Sequence, residues 1–192
     1  MGLIERHGKW NKQPAADKIE ERHVLIVGAG VCAIALGVGL NQLGIPYTIV
    51  DKEDDIGGTW YVNRYPGCGV DTPNHSYSYS FGPRNRWTRY FSQQQEIHDY
   101  LKATTARFGV REHVRLRTRL TSSRWDEATK RWISTLETPD GPQQVSSAIL
   151  VSAIGQLNDP SMAPFKGADD FAGTIFHSAR WPQDLDIKGK HV

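Results

Sequence analysis

The sequence predicts an α/β fold: a parallel sheet flanked by helices, with a small β-meander attached. Three observations carry this. His23-Val24-Leu25-Ile26-Val27 is a short β-branched run ending on Gly28, which reads as a buried strand. Gly28-Ala29-Gly30-Val31-Cys32-Ala33 follows at once and opens a segment of helical character. Tyr47-Thr48-Ile49-Val50-Asp51 then reads as a second strand. Strand, tight turn, helix and strand thus fit within about 30 residues, the length of a βαβ unit with a right-handed crossover.

Taken in order, residues 1–20 are polar and aperiodic and read as a surface lead-in. The first strand starts near His23. The helix runs from Val31 to Leu43, with Ile34, Leu36, Val38 and Leu40 apolar and Gly44 as its stop. Residues 53–93 hold no period and are rich in Gly, Pro, Tyr, Trp and Arg, the character of a binding segment. Gln94 to Phe108 returns to helix through Ile97, Tyr100, Leu101 and Phe108. Val114–Arg124 and Arg131–Leu136 read as strands joined through Asp126-Glu127-Ala128-Thr129. Ala148-Ile149-Leu150-Val151 is another buried-type strand, ending at Ala153-Ile154-Gly155. Residues 21–157 form one nucleotide-binding unit on this reading, and 158–192 a Pro- and Gly-rich linker.

The bulk properties exclude more than they assign. The chain has 192 residues, 39% hydrophobic, 23% charged and 10% aromatic, which excludes disorder, collagen and coiled coil as global states. A net charge of +2 points to no partner class. Cys32 and Cys68 are too few for a disulfide framework and fit a reducing cytoplasm, the expected location. Neither they nor the scattered histidines have metal-ligand spacing. Val24 to Val50 is free of charge and long enough to span a bilayer, but Gly28, Gly30, Gly37, Gly39, Gly44 and Pro46 cut it into short pieces, so no membrane span is expected. Glu20 and Glu21 stand where a signal peptide would be basic.

The chemistry concentrates in the glycine turn. In G-x-G-x-x-A, Gly28 permits the tight turn, Gly30 lets backbone approach a pyrophosphate, and Ala33 keeps helix and strand close. The helix amino terminus offers free N–H groups and a partial positive charge to phosphate. Asp51 ends the second strand about 20 residues beyond Gly30, placed to accept from a ribose hydroxyl. Its charge would repel a 2′-phosphate, which disfavours NADP here. FAD and NAD both remain open. The aromatic, Gly-rich insert suits a large flat ring better, which favours FAD.

Within that insert, Gly57-Gly58-Thr59-Trp60, Asn63-Arg64-Tyr65-Pro66-Gly67, Asp71 and Tyr77-Ser78-Tyr79-Ser80-Phe81 resemble the flavin-binding segment of Baeyer–Villiger monooxygenases, class B flavoprotein monooxygenases. The branch that includes 4-hydroxyacetophenone monooxygenase looks closest. Phe171 to Trp181 is similar to that family's fingerprint, F-x-G-x-x-x-H-x-x-x-W, with His177 at the histidine. Trp181 favours the Baeyer–Villiger type over N- and S-oxygenating relatives. The resemblance runs from about Val24 to the end of the chain.

The resemblance implies a Rossmann-like FAD-binding domain, NADPH as reductant, and insertion of an oxygen atom from O2 beside a ketone carbonyl, giving an ester or lactone. It implies that Gly28, Gly30 and Ala33 form the pyrophosphate turn and that Asp51 binds the adenosine ribose. Gly58, Thr59 and Trp60 would line the flavin, with Asp71 and Tyr77 near its ring system. Leu120 would touch the adenine side through its backbone. Asp71 would help keep an active-site arginine charged, and His177 would couple movement of the nucleotide domains. No second G-x-G-x-x-G occurs, so the expectation is an amino-terminal part, incomplete on its carboxyl-terminal side, that neither turns over alone nor holds flavin firmly. A non-catalytic flavin- or nucleotide-binding module, a related N- or S-oxygenating flavin monooxygenase and an NAD-dependent enzyme of unrelated chemistry are the alternatives.

Simpler roles stand beside these. Asp71 precedes Thr72-Pro73 and could initiate a turn. Trp60 and Tyr77 could be core aromatics with a bonded polar edge. His177 could be a surface histidine. Arg84, Arg86 and Arg89 interleave with Trp87, Tyr90 and Phe91, and Arg115, Arg117 and Arg119 alternate as on one strand face. That pattern could bind single-stranded nucleic acid, but the small net charge argues against it, and no nucleic-acid partner is expected.

Overall fold

The computed structural model describes residues 20–82 and 86–191. Most of the polar lead-in, Arg84 of the basic cluster and Val192 lie outside the described residues.

Four parallel strands make the main sheet, in the order β3-β2-β1-β7. They are β1 (Val24–Val27), β2 (Tyr47–Val50), β3 (Val114–Arg115) and β7 (Ile149–Ser152). β1 is central, and its side chains alternate between two apolar clusters. Val24 and Ile26 join Tyr47 and Ile49 of β2 in the larger one. Leu25 and Val50 turn to the opposite face and meet Leu136. Burial on both faces explains why β1 is a continuous apolar run rather than an alternating one.

Helices α1 (Val31–Leu43), α2 (Thr59–Val62) and α3 (Gln94–Arg107) follow in chain order. The first and third cover the larger cluster, to which α1 gives Ala33, Ile34, Val38 and Leu40, and α3 gives Ile97, Tyr100 and Leu101. Gly44 ends α1 in the left-handed conformation, its N–H returning to Asn41 O and Leu40 O. An antiparallel meander of β4 (Arg119–Asp126), β5 (Arg131–Thr138) and β6 (Gly141–Ser147) supplies Leu136, Leu120 and Val145 to the second face. The architecture is a Rossmann-like parallel sheet with helices and a small β-meander.

One local expectation fails, and one strand appears that the sequence does not announce. Val114–Arg124 is not one strand: β3 ends at Arg115, Arg117 has φ of 49°, and β4 belongs to the other sheet. The cause is a clasp around the end of β2, where Asp51 N donates to Arg115 O, Arg117 N to Glu53 O and Thr118 N to Asp51 O. Those bonds pull the chain out of the sheet, so Arg115, Arg117 and Arg119 share no strand face. Strand β6 was also not foreseen. Its Gly-Pro-Gln-Gln start lacks an apolar period because it is a solvated edge strand, where proline is tolerated. Among the described residues beyond Asn158 the only helical or strand elements are 3-10 turns, at Ala168–Asp170 and Ser178–Arg180. Among the described residues no helix is long and apolar enough to cross a membrane.

Candidate functional site

The site is built where β1 runs into α1. Gly28 has φ of 100°, and a Cβ there would stand 2.5 Å from Ala153 O at the end of β7. Only glycine fits both constraints. The first ladder bond of α1 runs from Ile34 N to Gly30 O at 3.1 Å, and no side chain caps the helix. The N–H groups of Val31, Cys32 and Ala33 therefore precede the ladder and face outward from the turn. Such an end suits an anionic group.

A second glycine turn closes on the first. Gly58 has φ of 55°, and a Cβ on it would lie 3.1 Å from Gly30 Cα. Gly57 N donates to Ala29 O at 2.9 Å, tying the two turns together. Asp51 ties in the third segment: its Oδ2 accepts from Ala29 N at 2.6 Å and its Oδ1 from Glu53 N at 2.9 Å. The two glycine turns and the acid that ends β2 thus form one hydrogen-bonded cradle.

Thr59 starts α2 directly after Gly58 and is exposed, whereas Trp60 is buried. Trp60 Nε1 donates to Tyr77 Oη at 2.9 Å, with the rings edge to face and centroids 5.7 Å apart. Gln94 Nε2 donates to the Trp60 carbonyl, fixing α2 against α3. Tyr79 Oη donates to Val31 O at 2.7 Å, so the aromatic segment also reaches the start of α1. Burial pushes the Tyr79 phenol well above its ordinary pKa, helped by Tyr100, Cys32 and Tyr77, and keeps it a donor. A cleft of about 160 Å³ opens here, lined in part by Val31, Tyr77, Tyr79 and Leu101.

Gly28, Gly30, Ala33, Asp51, Gly58, Thr59, Trp60 and Tyr77 thus come together around the two turns. Asp71, Leu120 and His177 are more remote in their contacts. Asp71 is exposed, accepting from Thr72 Oγ1 at 3.4 Å. Leu120 packs on the meander-side cluster, at an irregularity in the β4–β5 register. His177 Nδ1 accepts from Ala179 N at 3.1 Å and caps a 3-10 turn, whose Arg180 reaches Glu53 Oε1 at 3.5 Å. Among the described residues, no hydrogen bond or ion pair joins Asp71 or His177 to the glycine turns.

Sequence reasoning passed over His98, which is buried on α3 with Nε2 2.9 Å from Ile56 O, just before Gly57. A signal was present: His98 is three residues before Leu101 and seven before Thr105, on the buried stripe of α3. A histidine on such a stripe needs a polar partner.

Comparison with known proteins points to the same fold. Residues 26–94 match the NAD(P)-binding Rossmann-like domain family. The chain is 38% identical over 174 residues to a Baeyer-Villiger monooxygenase of Streptomyces coelicolor, covering 90% of this chain and 33% of that one. It is 36% identical over 192 aligned positions to the 2-oxo-Delta(3)-4,5,5-trimethylcyclopentenylacetyl-CoA monooxygenase of Pseudomonas putida, covering 94% of this chain and 34% of that one. The crystal structure of OTEMO in complex with FAD and NADP superposes with a TM-score of 0.77 at 37% identity, over 84% of this chain and 31% of that one. The chain spans about a third of the length of these curated relatives.

Proposed function

We propose that this chain, which belongs to the Baeyer–Villiger monooxygenase family over the length it shares, supplies the FAD-binding part of such an enzyme. The overall reaction converts a ketone, O2, NADPH and a proton into an ester or lactone, NADP+ and water. FAD, when bound, supplies the oxygen-transfer chemistry. The chain's own residues bind and orient it. We place the protein in the cytoplasm, consistent with its free cysteines.

The carrying observation is the approach of Gly30 and Gly58 beneath the uncapped start of α1. A side chain at either glycine would fill the space that a pyrophosphate needs. The N–H groups of Val31, Cys32 and Ala33 would donate to its oxygens. Asp51 keeps lone pairs beyond those given to Ala29 and Glu53, and these would accept from the adenosine ribose. Its negative charge weighs against a 2′-phosphate, so FAD fits this cradle better than NADP. Trp60 and Tyr77, locked to each other, form a rigid wall suited to the flavin. Asp71 would act on the ring side from an exposed position, Leu120 on the adenine side, and His177 in the linker.

Equilibrium titration of FAD fluorescence with the protein tests this reading. Weak but saturable quenching that NADP+ displaces poorly and that Asp51→Ala weakens further is expected. Absence of binding, or equal competition by NADP+, would overturn it.

A further inference from the structure

We propose that His98 is a positioning residue for the cofactor cradle, acting through the Ile56–Gly57 peptide. The inference rests on the FAD reading for its consequence, but its geometry stands in the protein alone.

His98 lies on α3 and is 6% exposed. Its Nε2 is 2.9 Å from Ile56 O. A carbonyl oxygen only accepts, so Nε2 carries the proton in this contact. The ring also lies against the next residue: a Cβ on Gly57 would come within 2.8 Å of His98 Cδ2, and Gly57 has φ of 121°. Imidazole and glycine therefore share one space.

The Ile56 carbonyl and the Gly57 N–H belong to the same planar peptide unit. His98 holds its oxygen end, while the N–H end donates to Ala29 O at 2.9 Å. The N–H of Ala29 in turn donates to Asp51 Oδ2 at 2.6 Å. One unbroken path thus runs from α3 through both glycine turns to the carboxylate at the end of β2. A rotation of this peptide would release Ala29 and part Gly58 from Gly30. His98 selects the orientation that keeps them together.

Asp55 supports the same loop beside His98. Its Oδ1 accepts from Ile56 N at 2.8 Å, and its Oδ2 accepts from Lys102 Nζ at 2.9 Å and lies 3.8 Å from His98 Nε2. Helix α3 thus grips the loop through two side chains one turn apart. A leucine at 98 would fill the volume and leave the Ile56 carbonyl without its donor. A glutamine would return an N–H at similar reach.

Three measurements on the whole chain decide the matter. In the ligand-free wild type, long-range proton–nitrogen NMR should show the His98 proton on Nε2; a neutral ring protonated only on Nδ1 would overturn the proposal. Amide hydrogen exchange at Gly57 should quicken about tenfold in His98→Leu and return to within about threefold of wild type in His98→Gln, with the amides of β1 unchanged. Unchanged exchange at Gly57, a uniform rise that includes β1, or no rescue by glutamine would count against it. FAD affinity should follow the same order, about tenfold weaker in the leucine variant and near wild type in the glutamine variant, and equal affinity in all three proteins would remove the functional consequence. Failure of the wild type to bind FAD would instead refute the cofactor reading, with the exchange and tautomer results still deciding the role of His98. Should the leucine variant not fold, the tautomer and the exchange rate at Gly57 in His98→Gln remain decisive.

Discussion

Ala29 and Asp51 are joined by a backbone-to-carboxylate hydrogen bond of 2.6 Å, so the acid at the end of β2 holds the glycine turn in shape before any ligand arrives. Its second oxygen accepts from Glu53 N. Asp51→Ala removes both charge-assisted acceptors and is expected to cost about 2 kcal/mol in the ligand-free protein. Asp51→Asn keeps one acceptor and should cost roughly half of that. Urea unfolding without FAD checks this, and full stability in the alanine variant would show that Asp51 serves the ligand alone. With FAD present the alanine variant should also bind it more weakly.

Much of the cradle was legible because its rules are local. Gly28, Gly30 and Ala33 sit at fixed spacings that one βαβ turn dictates, and α1 keeps the bounds Val31–Leu43 that its apolar spacing and Gly44 imply. The clasp at Arg115–Thr118 was not legible. It depends on backbone bonds to Asp51 and Glu53, more than sixty positions earlier in the chain, and Arg117 carries no sign of its positive φ. His98 was hidden for a related reason. Helical period marks it as buried, but only the fold brings Ile56 O to its ring.

Glycine substitutions should separate space from propensity. Gly28→Ala meets Ala153 O and a φ of 100°, so a loss of about 2 kcal/mol or more is expected. Gly39→Ala lies within α1 with no atom inside 4 Å of the added Cβ, so a gain of about 0.5–1 kcal/mol is expected from helix propensity. Thermal unfolding of the two variants reads the contrast. Similar melting temperatures would show that the turn relaxes more readily than its contacts imply.

The Trp60–Tyr77 pair makes a narrower prediction. Tyr77→Phe keeps the edge-to-face ring contact and removes the hydroxyl that accepts from Trp60 Nε1. Trp60 is buried, so its N–H would be left without this partner, at a cost of about 1–2 kcal/mol. Urea unfolding followed by tryptophan fluorescence measures it. A phenylalanine variant as stable as wild type would mean that solvent reaches the indole N–H.

Acid should loosen the same cradle from the side of Asp55. Burial works against ionisation of this carboxyl, but the Lys102 hydrogen bond, the Ile56 N–H and the nearby charges of Lys102 and His98 outweigh it and hold its pKa below the ordinary 3.8. A depressed carboxyl pKa stabilises the fold fully above the unfolded value and loses that contribution as pH falls through the folded value. The stability gap between wild type and Asp55→Asn should therefore be widest near neutrality and shrink below about pH 4. Both proteins unfold in acid through other carboxylates, so the gap rather than either curve carries the test. Urea unfolding at a series of pH values reads it directly. A gap that stays constant from neutrality into acid would mean that Asp55 acts through shape alone, and that α3 grips the loop before Gly57 without help from its charge.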